Sequence, residues 1–166
     1  MSRKQEITTG LISARQKILA AISLLPPARL NEVFLGVWSV KDLLAHLIGW
    51  DYTNIEAVKD ILAGQAPRVF KQWDPEWANY NAELVRRYRR DRFGDMLTES
   101  TASHAALIEF IETIPAEDIG KDFGIRSPNG TNITVEWFLQ FEIDDEGCHY
   151  DQVQDWLNRR ARPAVA

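Results

Sequence analysis

Several things are scarce in this chain, and each shortage removes a class of protein. Cys148 is the only cysteine, so no internal disulfide framework can form. Positive charge is in the minority: 19 lysines and arginines against 24 aspartates and glutamates give a formal net charge of −5. A general nucleic-acid binder would carry a basic face instead. No apolar run approaches the roughly 18 residues that a membrane-spanning helix needs. The N-terminus, Met1-Ser-Arg-Lys-Gln-Glu, leads into an amphipathic segment without the uninterrupted apolar run of a signal peptide. Repeats, low-complexity segments and convincing strand alternation are all missing. What is present is ordinary globular material, 45% hydrophobic and 26% charged over 166 residues. The expectation is one domain, 1–166, cytoplasmic, with no nucleic-acid or membrane partner.

Helical periodicity dominates. Ile7, Leu11, Ala14, Ile18, Ala21 and Leu25 recur at spacings of four and three, and Pro26-Pro27 ends that helix. Residues 28–38 show no clear period and read as a loop. Ser39-Val-Lys-Asp42 has the form of a capping box, with aspartate in the usual Glu/Gln place. It opens a second helix whose Val40, Leu43, Leu47, Trp50, Val58 and Ile61 face one way, with Gly64 as terminator. Asp74-Pro75 reads as N-cap and first helical position of a shorter helix, Glu76 to Arg90. A further helix runs from near Phe93-Gly94 to about Thr113, with Leu97, His104, Ile108 and Ile111 along one stripe, and Pro115 stops it. Residues 116–133 form a long connection with a strong turn signal at Pro128-Asn-Gly130. Such connections are often functional, and this one is expected to cover a pocket mouth. Thr134 caps the last helix, which runs to about Arg159, with Pro163 beyond it. The expected fold is all-α: an up-and-down four-helix bundle with an extra short helix before the third main helix.

The chemistry concentrates on the last helix. At roughly 100° per residue from Phe138, Asp145 lies near about −20°, His149 near about +20° and Glu142 near about 40°. A carboxylate and an imidazole one turn apart therefore sit in the middle of an apolar stripe. Burying them costs several kcal/mol unless each finds a partner. His46, on the flank of the second helix, supplies a third donor. A histidine from one helix and a carboxylate–histidine pair from another is a recognised way to build a metal site inside a bundle. Three protein ligands leave a position open for water or substrate. The competing account is an intrahelical Asp145–His149 ion pair, with His46 an ordinary boundary histidine. His104 is a rival ligand, read more simply as a half-buried histidine at a helix edge. Glu142 is the candidate general base or support for the ligands, whereas Glu146, at about 80°, reads as solvated. The arginines of 86–92 spread around their helix and read as a solvated end. Trp38, Trp50, Trp73 and Trp77 are core or pocket wall. Cys148 points about 100° away from His149, which disfavours a Cys-His nucleophile pair.

The stretch Trp38-Ser-Val-Lys-Asp-Leu-Leu-Ala-His46-Leu-Ile-Gly-Trp50-Asp51 resembles the second-helix signature of the DinB-like superfamily, closest to its ClbS/DfsB-type proteins and thiol-dependent maleylpyruvate isomerase domains. The last helix, with Asp145, His149-Tyr150 and Trp156-Leu157, is similar to the family's closing motif. The resemblance implies a four-helix bundle, homodimeric, with a divalent metal, zinc or nickel, held by three side chains matching His46, Asp145 and His149. Many members have histidine where this chain has Asp145, and some thiol-transferase relatives use a carboxylate there. The implied function is a metal-assisted hydrolase or thiol S-transferase acting on an electrophilic small molecule, in the second case with a low-molecular-weight thiol as cosubstrate. The alternative is a metal-independent ClbS-like hydrolase, or a protein that sequesters a small molecule on a vestigial metal site.

Overall fold

A computed structural model describes residues 1–72, 74 and 77–161, for 160 and 161 the backbone alone. It is all-α apart from one small ribbon. The four long helices are α1 (Arg3–Ser23), α2 (Val40–Leu62), α4 (Phe93–Thr113) and α6 (Val135–Ala161). A shorter α3 (Ala78–Tyr88) precedes the third of them, and a one-turn α5 (Ala116–Ile119) follows it. α1 packs mainly on α6, α4 and α3 pack on α2, and α2 crosses to α6 through the centre. Among the described residues no helix is long and apolar enough to cross a membrane.

Local signals explain most boundaries. Asp42 Oδ2 accepts from the Ser39 backbone N–H at 2.8 Å and from its hydroxyl at 2.7 Å, closing the expected capping box at the start of α2. Thr134 Oγ1 accepts from the Trp137 N–H at 3.0 Å and opens α6. The Asp74 carboxylate accepts from the N–H of Ala78 and Asn79, so α3 begins at Ala78, later than the sequence suggests. Trp73, Pro75 and Glu76, and Pro163 at the other end, lie outside the described residues. Expected as an unpatterned loop, residues 28–38 instead form an antiparallel ribbon, β1 (Val33–Leu35) with β2 (Trp38–Ser39). Gly36, at φ 57°, makes the left-handed turn between them. Gly49 lets α3 come close to α2: a Cβ there would meet Leu84 carbons at 2.8 Å.

The core lies in two apolar halves. One gathers around Leu11, Trp50, Ile61, Leu107 and Leu139, the other around Ile18, Leu43, Leu47, Met96 and Val153. The expected faces of α1 and α2 are all buried. On α4 the buried face is Met96, Ser100, Ser103, His104, Leu107 and Ile111, so His104 is buried and not half-buried at an edge, whereas Leu97 and Ile108 are only half-buried. Serine gives no hydropathy signal, so a stripe drawn through apolar residues misses it. The long connection does not cover the pocket described below. It packs Ile119, Ile125 and Ile133 into the core, and none of it lines that pocket.

Candidate metal centre

A polar layer lies between the two halves. The Arg15 guanidinium, 2% exposed, projects from α1 into the middle of the bundle. It donates to Glu146 at 2.6–3.2 Å, to both Asp51 oxygens at 3.0 Å and to the Ser100 hydroxyl at 3.3 Å. Ser103 Oγ donates to Asp51 at 2.6 Å, and His104 Nδ1 lies 3.5 Å from the same carboxylate. Burial opposes charge on Arg15, yet its two carboxylate partners hold its pKa above the ordinary arginine value. Burial likewise pushes Asp51 up, and Arg15 and His104 more than reverse that. Asp51, His104 and Glu146 are spaced closely enough to share a cation; the guanidinium already serves as that cation. Glu146 is thus fully buried and ion-paired, not solvated as its angle on α6 suggests. Arg15 was missed in the sequence, although it lies on the α1 stripe, about 40° from Leu11 and about 60° from Ile18.

This layer fixes the rotation of α6, and the neighbouring Asp145 and His149 then face α2. His46 and His149 bring their Nε2 atoms to 3.2 Å from each other. Asp145 Oδ2 lies 3.3 Å from His46 Nε2 and 3.4 Å from His149 Nε2. The three sequence candidates therefore converge on one point, with both rings buried and Asp145 half-buried. Ligands at zinc–nitrogen and zinc–oxygen distances of about 2.0–2.2 Å, set tetrahedrally, lie about 3.3–3.5 Å apart. The triangle fits a small divalent ion, and its chemistry fits as well. Burial lowers the His46 pKa and keeps the ring neutral. Burial would raise Asp145, but hydrogen bonds from His149 and His46 hold it well below the usual carboxylate range. Burial would lower His149, but the bond and charge of Asp145 raise it. A carboxylate oxygen and two imidazole nitrogens can share few protons at such distances, whereas one cation satisfies all three.

Around the triangle, His149 Nδ1 lies 2.8 Å from Gln152 Oε1. With the proton on Nδ1, the ring donates to Gln152 and keeps the Nε2 lone pair free for an ion. Gln152 was missed in the sequence; its signal is its position three residues beyond His149 on the same helix. Replacing Gln152 with leucine is expected to weaken zinc binding by about 10–100-fold, read by competition with a chromogenic chelator. Trp38, on β2, packs over both rings, with centroids 4.9 Å from His46 and 6.2 Å from His149. His46 Nδ1 is buried without a hydrogen-bond partner.

One side of the triangle opens on a pocket of about 210 Å³, lined by His46, Asp145, Glu142, Asn81, Trp50, Trp77 and Phe141. Glu142 is 2% exposed, and its Oε1 has no partner. Burial, followed by the charges of Glu146 and Asp145, pushes its pKa well above the ordinary glutamate value. Below the unfolded-state pKa, the group is protonated in both states and contributes no difference. As pH rises further, the unfolded chain ionises first, so native stability falls until the raised native pKa is passed. Metal-free Glu142→Gln should match the native protein in urea midpoint near pH 4 and exceed it increasingly toward pH 8.

A helical bundle carrying a three-donor cluster across two helices is the class that fold and geometry define. The DinB superfamily profile matches residues 11–153, and the chain belongs to that superfamily. Two solved structures share the fold. An uncharacterised protein from Escherichia coli UTI89 is 13% identical with a TM-score of 0.74, covering 96% of this chain and 95% of its own. A Streptococcus pneumoniae protein is 12% identical with a TM-score of 0.69, covering 95% and 91%. No curated protein matches the chain significantly.

Proposed function

We propose that this protein is a small-molecule enzyme in which His46, Asp145 and His149 hold a divalent metal and Glu142 handles a proton beside it. The observation that carries the reading is the triangle of ligand atoms, 3.2–3.4 Å on each side, at the wall of a pocket. Two imidazoles and a carboxylate suit zinc or nickel. Such an ion, when bound, would polarise a carbonyl and lower the pKa of a water or thiol.

The chain's own groups do the rest. Gln152 holds the His149 tautomer, and Trp38 covers both rings. Glu142 lines the same pocket, and burial among carboxylates raises its proton affinity, which suits it to pass a proton to or from the reacting group. The reaction class is attack by water or a low-molecular-weight thiol on an electrophilic metabolite, as a hydrolase or an S-transferase. Within the superfamily we place the chain nearest the ClbS/DfsB-type proteins, on the Trp38–Asp51 stretch. A second reading draws on His46 Nδ1, which lacks the acceptor that metal-binding histidines usually have. That reading is a metal-independent hydrolase, or a protein that sequesters its ligand.

Elemental analysis of untagged protein, with and without chelator, separates the two. About one equivalent of metal, lost together with turnover on chelation, is expected. Turnover that survives complete removal of metal would sink the metal-assisted reading, and consumption of only about one equivalent of electrophile would sink the enzyme. Glu142→Gln should slow turnover by about 10²–10⁴-fold while metal content stays at the native level.

A further inference from the structure

The pocket beside the triangle has two unlike sides. His46, Asp145 and Glu142 form one; Trp50, Trp77 and Phe141 form the other, with Asn81 between them. The aromatic side is firmly backed. The same three rings also border a slot completed by Phe70, Trp137 and Phe138, which leaves only about 30 Å³ of room. That slot is filled by its own rings and supports the wall; it has no space for a ligand. Trp50 donates its Nε1–H to Asn81 Oδ1 at 2.9 Å, and Trp77 meets it edge-on at 5.5 Å and 87°. Asn81, its oxygen engaged by Trp50, has an NH₂ to offer a carbonyl.

Two features of the wall mark it as more than core. Trp77 has φ 54°, a left-handed backbone that a bulky residue rarely adopts. Such strain persists where the surroundings enforce it, and it gathers at ligand sites. Phe141 is 47% exposed and stacks on Trp137 at 6.1 Å and 21°, which leaves a large apolar ring in water at the pocket's edge. Among the described residues that line the pocket there is no lysine or arginine. Arg15, the buried cation nearby, is taken up by Asp51 and Glu146. A volume of about 210 Å³ is small for a ligand pocket, which suits a compact group.

We propose that this site selects an electrophile borne on a compact aromatic or conjugated planar group without negative charge. The plane lies against Trp50, Trp77 and Phe141, and the reacting carbon faces the His46–Asp145–His149 triangle. The orientation rests on the metal reading above; the preference for a flat uncharged group rests on the wall alone.

Two titrations test it, followed by NMR or calorimetry. On zinc-loaded protein, benzohydroxamic acid is expected to bind at least about tenfold more tightly than acetohydroxamic acid. On metal-free protein, benzamide should bind more tightly than acetamide, and 4-carbamoylbenzoate should lose that advantage. Phe141→Ala, at a 47% exposed position, and Trp77→Leu should each shrink the ratio of benzohydroxamate to acetohydroxamate affinity. Equal affinity of benzamide and acetamide, no saturable benzamide binding, or an aryl preference that survives both substitutions overturns the proposal. Equal binding of 4-carbamoylbenzoate and benzamide overturns the exclusion of charge. Failure to bind zinc removes the metal reading and the hydroxamate anchor, and the amide series on metal-free protein still decides this one.

Discussion

Arg15→Met is expected to lower the free energy of unfolding by about 3–5 kcal/mol, the usual cost of breaking a buried ion pair by removing one partner. Methionine fills much of the same space and preserves helix propensity, so the loss isolates the charge. Asp51 and Glu146, both 0% exposed, would face each other without the cation that bridges them. Ser100 and Ser103 cannot replace it, because a hydroxyl carries no charge to offset two desolvated carboxylates. Urea denaturation followed by circular dichroism measures the effect. A loss below about 1 kcal/mol would show that the network is far better hydrated than its burial implies. Replacing Arg15, Asp51 and Glu146 together with apolar residues of similar volume should recover most of the stability. That triple variant should still bind metal more weakly, since nothing polar then holds α6 in its rotation about Asp145 and His149.

The second large effect concerns the triangle itself. Zinc at about a thousandfold excess over its dissociation constant should stabilise the native protein by about 4 kcal/mol. For a chain of this size, 1 kcal/mol corresponds to about 2–4 °C, so the melting temperature should rise by about 8–16 °C. In His149→Ala, with affinity falling by more than the ~100-fold that loss of a supporting hydrogen bond can cost, that rise should shrink to below about 6 °C at the same zinc concentration. The His149 ring is 7% exposed at the boundary of the core, so the metal-free variant should remain folded. Equal zinc-induced shifts in the native protein and in both His46→Ala and His149→Ala would mean that zinc binds elsewhere.

The donors of this site were legible because helical geometry is local. Asp145 and His149 stand one turn apart whatever surrounds α6, and an ionisable pair on an apolar stripe signals itself through the cost of burying it. His46 could be paired with them through the resemblance of its flanking sequence. Glu146 shows where this logic stops. Its angle on α6 is a property of one helix, but burial depends on which helices cover that angle, and here α1 brings Arg15 against it. Ser100 and Ser103 were invisible for a related reason: a residue without hydropathy is buried here because Arg15 donates to the Ser100 hydroxyl and the Ser103 hydroxyl donates to Asp51.

From its residue order alone, this chain determined four long helices, the caps that open α2 and α6, the buried faces of α1 and α2, and the side chains that could serve as ligands. Each of these depends on neighbours within a few turns of the same helix. Only the packed bundle decided that the two Nε2 atoms lie 3.2 Å apart. It also decided that a guanidinium takes the place of a second cation, and that the rings of Trp38, Trp50 and Trp77 gather on the His46 imidazole and the pocket beside it. The imidazole pair, the guanidinium's carboxylates and the Trp50–Asn81 bond join residues 31 to 131 positions apart, and no periodicity within one helix encodes the distance between two of them.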